Sequence, residues 1–530
     1  MRLNQDDYRN KVLGCWLGKN IGGTVGAPFE WKRQINDISF YVQKDMCGQA
    51  MPNDDLDIQL LWLCAMEEKG LDVTAQRLAD YWCLYVTPHW SEYGIAKINM
   101  RQGLPAPLSG SFQNIFKHSC GSYIRSEIWA CVAPGLPHIA ARYAYEDAIL
   151  DHGNGEGLYA EIFMATLESA AFVVSDLRRL IDIGLSYIPA ESGVAQAVKT
   201  TVECFDRGLT WKETRDEVLR LHRGGTFMGM LEHTSPDDQA KGFVDGVTGY
   251  DVPSNIGITL IGLLYGGDDF GQVQCISVNC GEDTDCTAAT GGSVWGIIHG
   301  ATAIPQKWID PIGRGIKTVC LNYGELGFFG DQIPQTVDDL TDRTVRLARR
   351  MLTRHHAENL CSPKPTILEE KAPEGDSGIW AFATKSTDPE DKPLKLKATD
   401  EGRSIWGGKN GPRFDFDFFS VHVDYGVEGP VIRDGQPKTL TLTVSNTYKI
   451  QANLSLHWYL PETGWQVSPS ADGYLLSFPG KSKTIQYSFT AEHLTRSTNR
   501  AVLEITIEGR PTAMHIPITL LNGNLFDAEA

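Results

Sequence analysis

From the N-terminus to about Arg354, apolar residues recur at helical spacing in stretches such as "YRNKVLGCWLGKNIGG", "DIQLLWLCAMEEKG", "LYAEIFMATLESAAFVV" and "DTDCTAATGGSVWGIIHGA", each punctuated by Gly or Pro. The pattern predicts an all-helical domain over residues 1–358. Gly14, Gly18 and Gly22 fall four apart in the first stretch, a stripe of small residues that lets a neighbouring helix approach closely. Arg9, Lys11 and Lys19 interrupt that stretch, which argues against a membrane dimerisation face. After "RRMLTRHHAENLCSPKP" the texture changes, because Pro363 and Pro365 stop any preceding helix and "TILEEKAPEGDSG" is polar. Beyond it, "KTLTLTVSNTY", "ANLSLHWYL", "TIQYSFTA", "RAVLEITIEG" and "AMHIPITLL" alternate apolar and polar residues with period two, with turn residues such as "PETG" and "FPGKSK" between runs. They predict an antiparallel β-sandwich of immunoglobulin-like type over 416–530, with 359–415 as a linker or an extra strand layer. Trp458 and Trp465 are expected in its core.

Composition narrows the classes of function. The 530 residues carry 66 acidic against 48 basic side chains, a formal net charge of -18. Such a surface disfavours a nonspecific grip on nucleic acid or on an anionic membrane. A small anionic substrate remains compatible if a bound cation reverses the local field. No apolar run approaches the length of a membrane span, and "MRLNQDDYRNKVLGCWLG" has no uninterrupted signal core, so the expected location is cytoplasmic. The 12 cysteines lie between Cys15 and Cys361, mostly within apolar stretches, as reduced and buried thiols do. Cys275, Cys280 and Cys286 lack CxxC spacing and read as packed thiols rather than zinc ligands.

The candidate chemistry is acidic. "MPNDDLDIQLLWLCAM" sets Asp54, Asp55 and Asp57 at the start of an apolar helix, and "VNCGEDTDCTAATGGSVWGIIHG" sets Glu282, Asp283 and Asp285 before a helix rich in Ala, Gly, Ser and Thr. Asp commonly caps helices, but a cap needs one acceptor, so the surplus carboxylates point to a cation. Hard oxygen ligands suit magnesium, manganese or calcium. Trp90, Tyr93, Arg101 and Arg125, in or beside the aromatic stretch "TPHWSEYGIAKINMRQGLPAPLSGSFQNIF", are the first candidates for substrate contact, although that stretch reads equally as a loop packed over the helices. His152 and Asn154 lie in "DHGNGEG", a Gly-rich break where the histidine either meets a ligand or bonds the loop backbone. "GGSVWG" lacks the glycine of a nucleophile elbow, and "GNGEG" lacks the third glycine of a dinucleotide fingerprint.

"GKNIGGTVGAPFEW", "PNDDLDIQ" and "GEDTDCTAATGGSVWGIIHG" resemble, in order, the three signature segments of the ADP-ribosylglycohydrolase family, of the dinitrogenase-reductase-activating glycohydrolase type. "YAYEDAILDHGNGEGLYAE" resembles the family's Ala-rich helix followed by Thr-His, with His152 on the histidine. The resemblance implies a compact all-α orthogonal helical bundle with two divalent ions, usually magnesium or manganese, and hydrolysis of a bond at the anomeric carbon of a ribose. Carried over position by position, Asp54 and Asp55 bind one ion, Asp283 the other, and Asp285 bridges both. Glu30 contacts an ion and positions or deprotonates the attacking water. Three departures stand out: Asn53 and Leu56 replace the threonines flanking the first motif, Cys286 stands at the last Thr of the second, and "GGT" replaces Gly-Asp-Ala before the glutamate. Asn53 still offers a carbonyl oxygen, whereas Cys286 suits a hard cation poorly, so a second ion calls on Thr287 or Asp57. The expected function is a metal-dependent hydrolase acting on ADP-ribose or a related sugar, with a small-molecule sugar or ADP-ribosyl substrate and neither nucleic acid nor membrane as partner. The alternatives are a glycoside hydrolase of non-nucleotide carbohydrate and an inactive metal-containing binding protein.

Overall fold

The computed structural model describes residues 5–44, 46–223, 231–232, 240, 246–247, 251–321, 332–360, 411–416 and 418–526. Most of the expected linker, 361–410, lies outside them. Two compact units divide the chain: Met1–Gly94 with Gln113–Lys397, and Ile95–Phe112 with Ala398–Ala530.

The first unit is helical. Its first helix, α1 (Gln5–Gly26), is buried at every residue from Val12 to Gly26, as befits a helix at the centre of its unit. The helix Thr284–His299 lies along it with Gly14 facing Gly296, Gly18 facing Gly292, Gly22 facing Ala288 and Gly26 facing Asp285. The pairing is therefore antiparallel. At each of these glycines an added Cβ would overlap backbone atoms of the partner helix. The small-residue stripe thus joins two backbones in direct contact and draws the end of α1 to the start of the partner helix.

The second helix, α2 (Asp54–Lys69), begins where Asn53 Oδ1 accepts from Asp55 N at 2.8 Å, a side-chain cap that satisfies one orphan amide. It ends at Gly70, whose φ of 85° suits glycine. The loop after α1 is pinned to the approach of the Thr284–His299 helix by a reciprocal backbone pair: Trp31 N donates to Glu282 O at 2.8 Å and Glu282 N to Lys32 O at 3.1 Å. A two-residue ladder, β1 (Leu231–Glu232) with β2 (Gly246–Val247), completes the described strands of this unit. Among the described residues no helix is long and apolar enough to cross a membrane.

The C-terminal strands are β3 (Arg413–Asp415), β4 (Phe419–Asp424), β5 (Val431–Ile432), β6 (Lys438–Asn446), β7 (Ala452–Tyr459), β8 (Trp465–Ser468), β9 (Asp472–Ser477), β10 (Ser482–Ala491), β11 (Thr498–Ile507) and β12 (Ala513–Asn522). They form two five-stranded sheets, ordered β3-β4-β6-β10-β8 and β5-β12-β11-β7-β9. Each of the five alternating stretches in the sequence falls on a strand. In β6, Leu440, Leu442 and Val444 turn inward while Thr439 is exposed and Thr441 and Thr443 are half-buried, the expected period of two. Trp458 and Trp465 are buried in this core. Pairing is antiparallel except where β5 joins β12 in parallel over two residues.

Leu104 and Leu108 belong to the same hydrophobic cluster as the strands, and Thr519 Oγ1 donates to Gly103 O at 2.6 Å. The stretch Ile95–Phe112, read from sequence as a loop of the helical part, is therefore part of the C-terminal unit's core.

Candidate active site

The antiparallel glycine contact fixes where the acids meet. Glu30 follows α1 by four residues, and Asp283 and Asp285 open the partner helix, so the two groups share one end of the helix pair. Ligand-capable oxygens of Glu30, Asp283 and Asp285 lie within 4.8 Å of one another, as do atoms of Asp55, Asp285 and Cys286, with Asp285 common to both groups. Asp54 joins Glu30, Asp283, Asp285 and Cys286 in the wall of an open cavity of about 120 Å³ that also meets Trp31, Trp90 and Tyr93.

The charge is not offset from within the cavity wall. Burial first, then the neighbouring Asp285, Asp54 and Asp55, push the Glu30 carboxyl up to about 10. Burial and Asp54 push Asp285 up to about 6. Asp55 and Asp283 are raised well above the ordinary carboxylate range for the same reason, burial augmented by the adjacent acids. Among the described residues, Asp55 Oδ2, Asp283 Oδ1 and Asp285 Oδ1 are buried without a hydrogen-bond donor. Buried carboxylate oxygens that repel one another and lack donors are the arrangement a hard divalent cation satisfies. The nearest cation, Lys19, lies below the site: its ammonium is 3.8 Å from Asp55 Oδ2 and 2.7 Å from Glu127 Oε1. Burial alone would discharge it, but Glu127 and Asp55 outweigh burial and hold it protonated.

These shifts set an expected result. Glu30 and Asp285 bind protons in the folded chain at pH values where the unfolded chain has released them. Their contribution to stability therefore falls as pH rises from about 4 through about 6 for Asp285 and on toward about 10 for Glu30. A divalent cation held by these acids would replace those protons, so the rise in melting temperature on adding magnesium or manganese should grow between pH 5 and pH 8. Thermal melts with cation and with chelator measure it, and a pH-independent difference would refute the cation assignment.

The remaining acids of the two motifs have other work. Asp57 Oδ2 accepts from Val319 N at 2.6 Å and Cys320 N at 2.5 Å, tying α2 to a distant loop. Glu282 turns to Arg223 and Arg33. Asn53 Oδ1 is taken by its cap. Thr287 Oγ1 donates to Thr284 O, and Cys286 Sγ donates to Asp55 Oδ1 at 3.5 Å. Neither Thr287 nor Asp57 is among the acidic groups or the cavity wall.

Of the candidates for substrate contact, Trp90 lines the cavity with a half-exposed ring, and Tyr93 lines it with its hydroxyl donating to Asp54 Oδ2 at 3.1 Å. Arg125, His152 and Asn154 are not in the cavity wall. Arg125 is fully buried, its guanidinium bonded to Asp151 at 2.7 Å and 3.0 Å and to Asp147 at 2.9 Å. His152 is also fully buried, between Ser119 Oγ at 3.0 Å and Asp151 Oδ1 at 2.9 Å. Asn154 accepts from Lys117 at 3.2 Å, and Arg101 is exposed in the other unit. Glu92 is a buried carboxyl in the cavity wall that the sequence reading did not single out. It is a lone acid in the first turn of a short helix, with no motif around it, and only its adjacency to Tyr93 hinted at it.

Comparison with known proteins agrees with the acidic signature. The family model described as ADP-ribosylglycohydrolase matches residues 4–350. No curated protein matches the chain. Solved structures that match include the FixG-related protein from Vibrio parahaemolyticus, at 14% identity over 20% of this chain and 98% of that one, TM-score 0.16. The PapD-like domain 7 of human CEP192 matches at 12% identity over 19% and 82%, TM-score 0.14. The alkylpurine DNA glycosylase AlkC of Pseudomonas fluorescens, bound to DNA containing an abasic site analog, matches at 10% identity over 88% and 99%, TM-score 0.13. At these scores none of the three carries an argument about fold or function.

Proposed function

The chain belongs to the ADP-ribosylglycohydrolase family, and from that membership we propose that it is a divalent-cation-dependent hydrolase of a bond at the anomeric carbon of an ADP-ribosyl group or a related ribosyl or sugar moiety. The observation that supports this reading most is the meeting of Glu30, Asp54, Asp283 and Asp285, from three distant segments, in one aromatic-walled cavity. Asp54, Asp55, Asp283 and Asp285 would hold magnesium or manganese, with Glu30 beside them. Such an ion supplies Lewis acidity that orients ribose hydroxyls and lowers the pKa of water.

The protein's own groups do the rest. Glu30 accepts a proton from the attacking water at its carboxylate, on a loop whose position is held by the Trp31–Glu282 and Glu282–Lys32 backbone bonds. Tyr93 orients Asp54 through its hydroxyl. The carboxylates around the cavity stabilise positive charge that develops on the sugar ring as its bond breaks. Trp90 and Trp31 offer faces on which a ring can stack. The described cysteines form no disulfide with one another, which suits work in a reducing compartment such as the cytoplasm.

The test is an assay of the full chain with magnesium or manganese against ADP-ribosylated substrates and a panel of aryl glycosides, with and without chelator. Turnover of the ADP-ribosyl compounds that chelator abolishes is expected. Turnover of the aryl glycosides alone would move the substrate to ordinary carbohydrate, and absence of both would leave a binding protein.

A further inference from the structure

Glu92 stands in the cavity wall but belongs to neither group of converging metal-capable atoms. Its carboxyl is closely seated: an added Cβ on Gly121 would overlap Glu92 Oε1. Ser119, His152 and Asp151 lie in the core near it: the Ser119 hydroxyl is 3.0 Å from His152 Nε2, and His152 Nδ1 is 2.9 Å from Asp151 Oδ1. Asp151 is in turn clamped by Arg125 through two bonds. All of these are buried, and of them Glu92 is the one in the cavity wall.

We propose that Glu92 donates the proton to the leaving atom as the glycosidic bond breaks. This rests on the hydrolase reading above. That reading gives Glu30 the proton of the attacking water, yet leaves the departing group to leave as an anion. An alkoxide leaves slowly unless it is protonated in the transition state, a contribution of about 10²–10⁴-fold for a placed acid. In the step, a lone pair of water forms the new bond to the anomeric carbon and the old bond pair passes to the leaving atom. One water proton moves to Glu30, and the Glu92 proton moves to the leaving atom. Both acids line the open cavity, so Glu30 then returns its proton to solvent and Glu92 takes one up from solvent, and the balance closes.

Arg125 and His152, acting against burial, hold Asp151 at about 2, so it is ionised. Burial, augmented by Asp151 and opposed by His152, brings Glu92 up to about 7, where a carboxyl can serve as an acid near neutrality. The charged groups around it are His152 and Asp151, with Arg125 beyond them, and Asp54, Asp283 and Glu30 in the cavity.

The test uses the full chain with magnesium and two compounds that differ only in leaving group, ADP-ribose joined to 4-nitrophenol and ADP-ribose joined to methanol. Nitrophenolate leaves without help. Glu92→Gln should lower kcat/KM on the methanol compound by about 10²–10⁴-fold, lower it on the nitrophenol compound by less than about 10-fold, and remove the alkaline limb of the pH profile on the former. If Glu92→Gln does not fold, the wild-type pH profiles decide: an alkaline limb on the methanol compound that is missing on the nitrophenol compound supports the acid role, and the same limb on both overturns it. Equal losses on both compounds overturn the acid role and leave the hydrolase reading standing. A wild-type chain that turns over neither compound overturns both.

Discussion

Glu30→Gln should lower turnover at saturating magnesium or manganese by about 10²–10⁴-fold, the size of a lost general base. The substitution keeps a carbonyl oxygen near Asp283 and Asp285 but removes the atom that accepts the water proton. It also removes one of several mutually repelling carboxylates, whose repulsion and burial raise Glu30 to about 10 when no cation is bound. Cation affinity should weaken far less than turnover, because Asp54, Asp55, Asp283 and Asp285 remain. Isothermal titration with manganese, beside steady-state rates, separates the two effects. If turnover and cation binding are both unchanged, Glu30 has no part in catalysis and the proposed base is wrong. Equal loss of both would make it a ligand and nothing more.

Gly18→Leu should prevent the helical unit from folding, or leave it insoluble. Gly18 sits at the middle of the contact between α1 and the Thr284–His299 helix, where even a Cβ would overlap the Gly292 carbonyl. Oversized residues in a packed core usually cost about 1–3 kcal/mol because side chains can shift. Here the obstacle is backbone on both helices, so the cost should exceed about 3 kcal/mol. The same displacement would pull Glu30 from Asp285, since the glycine contact aligns the two helix ends. Gly291→Ala, on another face of the same helix, is the control. Its Cβ would meet only Ser277 Oγ and Val273 Cγ1, both at 3.5 Å. That is ordinary contact, and replacing a mid-helix glycine should then stabilise by about 0.5–1 kcal/mol. Soluble yield and thermal melts of the two variants report the contrast. A soluble Gly18→Leu chain with an unchanged melting temperature would refute the backbone contact.

The acids clustered in each motif divide among different partners. Asp54 and Asp55 lie with the cavity and its acids, while Asp57 faces backwards to two loop amides. Glu282 likewise leaves Asp283 and Asp285 and pairs with Arg33 and Arg223. Adjacent residues at a helix start point in different directions, so a run of acids in sequence necessarily splits among partners in space.

What the sequence determined alone was local and periodic. Helical spacing up to about Arg354 and period-two alternation beyond it marked the helical and β parts, the four-residue spacing of glycines marked a close helix contact, and surplus carboxylates at two helix starts marked acids that could hold a cation. Each of these is a property of residues a few positions apart, where backbone geometry alone relates them. Tertiary structure decided which polar groups meet. It buried Arg125 against Asp147 and Asp151 and His152 against Ser119, set Glu92 in the cavity wall and took Ile95–Phe112 into the core of the β unit. The physical reason is that a polar side chain's partner depends on which distant segment packs against it, and no local period in the chain encodes that approach.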